Sequence, residues 1–311
     1  MMAIKHIPFL KASRGLNVVA DPVRIAYDPQ SGVADLATAY NVDIDVSGRI
    51  SRRKGFTLRG AWEARDIFCD GGECLFMSGT SLYRLNRDWT RTGVRSGMTL
   101  GAKLWCVQSG DRIYYANGVQ RGYVVTGVSW NWDVTQYYGP PTSRVFQSPP
   151  DGITMLEIYK GIMYCVKDNI VWHSEPFSYH WFDYAKGFIP FTTNVRFIKA
   201  SFGATDRESD GLYVGTDRGV EFLEGDEPGK FSREQVSDSP PIIGSAIRCD
   251  LSRIGKGTAG KGVMWAAQDG IWVGNANGQA QCVTKDKLKY PAALFGAGAY
   301  NNGKYIVLLQ E

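Results

Sequence analysis

The apolar and aromatic residues of this chain fall in short runs, and each run is cut by a turn of Gly, Asn or Asp before the next begins. The recurring unit is an apolar–aromatic strand, a tight turn and a second strand. It appears as "CLFMSGTSLYRL" from Cys74, "DRIYYANGVQRGYVV" from Asp111 and "GIMYCVKDNIVWHSEP" from Gly161. It recurs as "DGLYVGTDRGVEFLEG" from Asp210, "GVMWAAQDGIWVGNANG" from Gly262 and "NNGKYIVLLQE" at the end. Asn117-Gly118 and Asp269-Gly270 supply the positive φ angles that tight hairpins demand. Helical periodicity is scarce: no window of about a dozen residues keeps apolar positions at i, i+3, i+4 and i+7 without Gly or Pro between them. The segment "GVADLATAYNV", Gly32 to Val42, predicts one or two turns at most.

Aligned on a central aromatic, the units place Phe76, Tyr114, Tyr164, Tyr213, Trp265 and Tyr305 at intervals of 38 to 52 residues. Such intervals match one four-stranded blade per unit, and a β-sandwich would not need the same hairpin six times. The chain therefore reads as all-β, a β-propeller of about six blades, with five or seven as the neighbouring counts. Its last residues are still strand-like, and an orphan hairpin, "NVDIDVSGRISRRKGF" from Asn41 to Phe56, precedes the first full unit. Pairing of this N-terminal hairpin with the C-terminal strands would close the ring and remove free sheet edges. Residues 1–40, with Pro22 and Pro29, read as an extended arm that lies on its own propeller or on a neighbouring subunit. Residues 41–311 are then a single propeller domain.

Composition narrows the class. At 311 residues, 44% hydrophobic and 21% charged, the chain is long and apolar enough for a sizeable core and is no disordered tail. Its 36 Gly and 16 Tyr suit many strands joined by tight turns. A net charge of +4 is mild and does not by itself argue for nucleic acid. The start lacks the apolar stretch of a signal peptide, and no run reaches the roughly 18 apolar residues of a membrane helix. The expectation is a chain made in a cytoplasm, without membrane insertion. None of the six cysteines forms a C-x-x-C, and Cys106 and Cys165 sit in apolar runs, so all are expected to be reduced and structural.

Asp43, Asp45, Ser47 and Gly48 imitate the start of a calcium loop, but the twelfth place, which needs a bidentate carboxylate, is Lys54. An ordinary hairpin turn explains them. The cations that follow, Arg49, Arg52, Arg53, Lys54 and Arg59, are candidates to face DNA phosphates or acidic groups of a neighbouring subunit. A solvated face is the plain alternative. No aromatic residue alternates with them, so base stacking gains no support. "GKGTAGKG", Gly255 to Gly262, lacks the hydroxyl that ends a phosphate loop and leads into a strand. "HSEPFSYHWFDY" gathers His173, Glu175, His180 and Asp183, where a metal or acid–base pair could assemble, against a loop packed by its own rings. Trp132-Asp133 stands alone, no sialidase-type box occurs, and no nucleophile elbow appears. No catalytic residue, cofactor or metal is assigned.

Three segments taken together resemble a known family. They are "GLNVVADPVRIAYDPQSGVADLATAYNVDIDVSGRISRRKGF", "WHSEPFSYHWFDY" and "GLYVGTDRGVEFLEGDEP". They are similar to tailed-bacteriophage virion proteins of the tail hub and nozzle type, including packaged-DNA stabilisation proteins of short-tailed phages. The likeness spans Gly15 to Pro228 and is clearest in the hairpin after a "DP" arm. It implies a non-enzymatic propeller repeated as a ring around the tail axis, a hexamer, in a virion assembled in the host cytoplasm. Its partners would be copies of itself, the portal, the adaptor and other tail proteins, with packaged DNA in the lumen, retained until infection and then released. The chain is shorter than the long nozzle members, which leaves its place in the tail open. Another virion propeller, for head closure or fibre attachment, fits the same pattern. So does an enzyme or sugar-binding propeller whose site includes His173, Glu175, His180 and Asp183.

Overall fold

A computed structural model describes residues 12–310, apart from 26, 29, 45, 46, 56, 71, 138, 140, 141, 205–209, 255–258, 286, 289–291 and 302. The described residues form strands and three single 3-10 turns, with no α-helix. The chain opens on β1 (Ala12–Leu16), β2 (Tyr27–Asp28) and β3 (Val33–Leu36), a small sheet in the order β1-β3-β2 with β1 parallel to β3. The arm expected from the sequence is thus partly folded, and the helical turn expected after Gly32 is strand β3. Pairing on both sides of Val33 and Ala34 outweighs their local preference.

The hairpin β4 (Val42–Ile44) and β5 (Ile50–Arg52) follows. Five antiparallel meanders come next, each in simple up-and-down order. The first is β6 (Arg65–Asp70), β7 (Glu73–Ser78), β8 (Ser81–Leu85) and β9 (Arg91–Arg95). The second is β10 (Trp105–Ser109), β11 (Arg112–Ala116), β12 (Arg121–Val125) and β13 (Val128–Trp130). The third is β14 (Thr154–Tyr159), β15 (Ile162–Lys167), β16 (Ile170–Glu175) and β17 (Ser178–Phe182), with β18 (Phe188–Pro190) also paired to β16. The fourth is β19 (Val195–Ser201), β20 (Gly211–Thr216), β21 (Gly219–Glu224) and β22 (Ser232–Ser237). The fifth is β23 (Ile247–Asp250), β24 (Lys261–Ala267), β25 (Gly270–Gly274) and β26 (Ala280–Cys282). A last hairpin, β27 (Phe295–Asn301) and β28 (Lys304–Gln310), ends the chain.

The aromatic anchors explain this regularity. Phe76, Tyr114, Tyr164, Tyr213 and Trp265 each lie buried in the second strand of a meander, and Tyr305 lies in β28. The core is a series of layers between successive sheets. Leu75, Met77 and Leu82 meet Ile113, Tyr115 and Val124 between the first and second. Val107 and Tyr114 meet Leu156, Met163 and Phe182 between the second and third. Tyr164 and Val166 meet Ile198 and Val214 next, then Phe197 and Tyr213 meet Val263 and Trp265. Ile242 and Ala266 back onto Val307 and Leu309 of the last hairpin. Strand faces alternate, so each sheet can bury both faces against its neighbours. The fold is all-β and propeller-like.

Closure differs from the expectation. Hairpins β4–β5 and β27–β28 stand as separate two-stranded sheets, so among the described residues no shared blade joins them by backbone pairing. The β4–β5 turn is instead occupied by the arm: the Ser13 N–H donates to the Gly48 carbonyl at 2.7 Å. Gly48 has φ +80°, and a Cβ there would fall 2.6 Å from the Ser13 carbonyl oxygen. The arm also meets the turn after β26, where Val18 N–H donates to Lys287 O at 2.9 Å. Ser13 and Val18 of the arm therefore contact their own chain. A second correction concerns the cysteines. Cys69 and Cys74 face each other across β6 and β7 and are joined as a disulfide, because the tight turn between them sets their side chains opposite. Cys106, Cys165, Cys249 and Cys282 are free thiols.

Candidate functional site

Arg144 decides the fate of the sequence's acid–base cluster. Its guanidinium forms a two-pronged pair with Glu175, Nη1 donating to Oε2 at 2.8 Å and Nη2 donating to Oε1. Its Nε donates to Asp183 Oδ2 at 2.9 Å. Burial raises the Asp183 carboxyl, but the Arg144 bond and the Ala185 N–H outweigh it and hold the group below the usual carboxylate range. Both acids are thus engaged by one guanidinium. His173 turns away: its Nδ1–H donates to the Ser174 carbonyl at 3.2 Å while its ring packs on Tyr164. Among the described residues no group of three or more His, Cys, Asp or Glu side chains could hold a metal ion.

His180 belongs to a different place. A cleft of about 340 Å3 lies between the second and third sheets, with Asp111, Arg112, Tyr114, Tyr179, His180 and Trp181 among its walls. The His180 Nδ1–H donates to the Asp133 carbonyl at 2.8 Å, which leaves Nε2 as an acceptor facing Arg112 Nη1 at 3.4 Å and Tyr114 Oη at 3.5 Å. Burial holds this imidazole below its ordinary value, and the neighbouring guanidinium adds to the effect. It is a neutral hydrogen-bond acceptor at neutral pH. Arg112 lies over Tyr123, 5.2 Å from the ring centre, and Trp181 is braced against Phe146 and Tyr137. Phe177 forms the lip, 82% exposed, its ring beside Gly161.

The inner strands hold a site that the sequence concealed. Glu157 on β14 is fully buried, and its carboxylate meets Lys199 Nζ of β19 and Arg248 Nη2 of β23, each at 3.1 Å. One acid thus ties the inner strands of three sheets together. Nearby chain segments repeat the tactic: Lys103 donates to the Gly296 carbonyl of β27 at 2.8 Å. Burial depresses the Lys103 ammonium, with Asp66 opposing the shift. No local motif announces these contacts, because their partners stand far apart in sequence.

The basic residues of the N-terminal hairpin do not converge on one point. Arg49, Arg52, Arg53, Lys54 and Arg59 are all exposed. Arg53 Nε lies 3.4 Å from Asp43, whose other oxygen is 3.2 Å from Lys304 Nζ of β28. Arg59 reaches the first meander and lies over Trp89. Asp45 of the calcium-like turn lies outside the described residues, as do 255–258 of the glycine-rich segment.

No protein-family model matches the chain, and no curated protein does. Solved structures do match. The extracellular domain of the putative hybrid two-component system BT4673 from B. thetaiotaomicron is 13% identical, with a TM-score of 0.45 over 74% of this chain. This chain spans 28% of that structure's length. The N-terminal domain of Nup159 is 8% identical at a TM-score of 0.43, covering 79% of this chain and 72% of its own. The gluconolactonase XC5397 from Xanthomonas campestris is 10% identical at 0.42, covering 76% and 79%. Similarity at this level says nothing of what the chain binds or does.

Proposed function

We propose that the chain is a structural, non-enzymatic propeller of a tailed-bacteriophage tail, of the hub or nozzle type. In this reading it forms a ring with copies of itself, a hexamer, below the portal and adaptor, and the ring's lumen retains packaged DNA and releases it at infection. The five meanders and the terminal hairpin count as six blades. In this reading the N-terminal hairpin serves the sixth blade through side chains, Asp43 with Lys304, and not through backbone pairing. The viral assignment rests on the likeness of the three sequence segments.

One observation supports a structural role above the others: the polar side chains are spent on holding elements together. Arg144 neutralises the acids that a catalyst would need, and Glu157 binds three inner strands. Stacked sheets tied in this way are stiff, as a conduit subunit under pressure should be. Electron microscopy of the purified protein and of particles tests the proposal. Six-fold rings are expected, weakened by Arg52→Ala with Lys54→Ala while the fold persists. A monomer missing from purified particles would overturn it.

The cleft beside His180 favours a second reading, a carbohydrate-binding propeller. Aromatic walls with a guanidinium and hydroxyls can hold a sugar ring. Saturable glycan binding that is lost on Trp181→Ala would support it, and a blank glycan array would remove it.

A further inference from the structure

The turn between β8 and β9 holds Trp89 in the left-handed region, at φ 68°, with the side chain 49% exposed. A bulky residue seldom occupies that region without a reason. The turn is firmly built. Asn86 N–H donates to Thr90 O at 2.9 Å, and Trp89 N–H donates to Asn86 O at 3.0 Å. The Asp88 carboxylate accepts from the Thr90 N–H at 3.0 Å and from its hydroxyl at 2.6 Å. The indole is therefore held outward on a rigid support.

Arginines surround it. The Arg59 guanidinium lies over the Trp89 ring, 5.3 Å from its centre. Arg87 is exposed on the same turn. Arg91, where the turn enters β9, lies 4.5 Å from the Tyr83 ring centre and 5.8 Å from that of Trp62. It also donates to the Ser78 hydroxyl at 3.2 Å. Trp62 stacks in turn on Phe76, with ring centres 4.6 Å apart. The acids of these segments are Glu63 and Asp88, the latter engaged within the turn.

A guanidinium laid flat on a ring keeps its N–H edges outward and loses little freedom when it grips a phosphate. An outward, half-exposed indole offers a face on which an unpaired base can stack. Cations beside a stacking face match the chemistry of single-stranded nucleic acid. An acidic protein surface would need the cations but not the indole. The aromatic missing among the hairpin cations in sequence is supplied from the next sheet in space.

We propose that Trp89, Arg59, Arg87 and Arg91 form a binding surface for single-stranded nucleic acid, with phosphates on the arginines and a base on Trp89. This goes beyond the structural role and can fail separately from it, since ring formation is read by microscopy and this surface by titration. Fluorescein-labelled oligo(dT) titrated with the full chain at several salt concentrations tests it by anisotropy. Binding should fall with salt, and Arg59→Ala and Arg87→Ala should each reduce the log–log slope by about 0.7. Trp89→Ala should weaken binding about tenfold and leave the slope unchanged. Both Arg87 and Trp89 are exposed, and unchanged thermal melting of these variants guards against misfolding. Absence of binding at low salt, an unaffected Trp89→Ala, or equally tight binding of a duplex would overturn the proposal. Polyglutamate competing as well as oligo(dT) would also overturn it, and would point to an acidic protein partner.

Discussion

Asp43, in the N-terminal hairpin, and Lys304, at the start of the last strand, stand 3.2 Å apart and join the first hairpin to the last. The Lys304 bond, with help from Arg53, holds the Asp43 carboxyl below the usual range. A depressed carboxylate pKa stabilises above the unfolded value near 4 and is lost as pH falls through the folded value. Protection factors of residues 42–52, with the intrinsic pH dependence of amide exchange divided out, should therefore fall below about pH 4 and change little between about pH 6 and 8. Asp43→Asn should abolish the acid response. The swapped pair, Asp43→Lys with Lys304→Asp, should partly restore the protection that either change alone loses, and the absence of any rescue would refute the pairing.

Glu157 makes a sharper prediction. Glu157→Ala leaves two cations facing each other across a buried space, at a cost of about 3 kcal/mol in denaturant unfolding. Lys199 and Arg248 keep partial access to water, which places the cost at the low end of the range for broken buried pairs. Glu157→Gln should cost less, because it removes the charge but keeps acceptor and shape.

The histidines give a pH signature. Burial holds His173 and His180 below the ordinary 6.5. The unfolded chain takes up protons that the folded chain refuses, so stability should fall as pH drops from 7 toward about 5.5. Denaturant midpoints measured across that window should show the decline. The double variant His173→Gln, His180→Gln should show a shallower one, whatever its absolute stability.

Arg144→Ala should cost about 1–2 kcal/mol, since the pair is partly exposed and only Asp183 is left poorly solvated. The Asp183 carboxyl should then titrate at higher pH, which carbon-detected NMR of the labelled carboxyl would show. An unmoved Asp183 would mean that Arg144 does not set its charge.

Much of the architecture was legible because it is local. A strand pair, its Gly or Asn turn and its anchor aromatic lie within a few residues of one another. Tyr114, Tyr164, Tyr213 and Trp265 duly fall in second strands. What was illegible depends on distant partners. The run after Gly32 looked weakly helical, but β1 and β2 supply pairing on both sides of β3. The separation of the two end hairpins could not be read either, because Ser13 takes up the Gly48 turn from outside the repeat. Among candidate residues, Glu175 and Asp183 were visible as acids, while Arg144, which neutralises them, lies 31 and 39 residues away. His180 looked like a companion of His173 because the short turn between β16 and β17 keeps them close in sequence, but on their separate strands His173 meets Ser174 and His180 meets Asp133 and Arg112.

The burial of Glu157 also orders events during synthesis. A ribosome delivers this acid before either of its counter-ions, with Lys199 following 42 residues later and Arg248 later still. The first three sheets can stack as they emerge, but the carboxylate on β14 must stay wet until the fourth and fifth arrive. Those sheets bring neutralising charge as well as apolar cover, so a chain halted before them would keep water around an acid that the finished molecule buries.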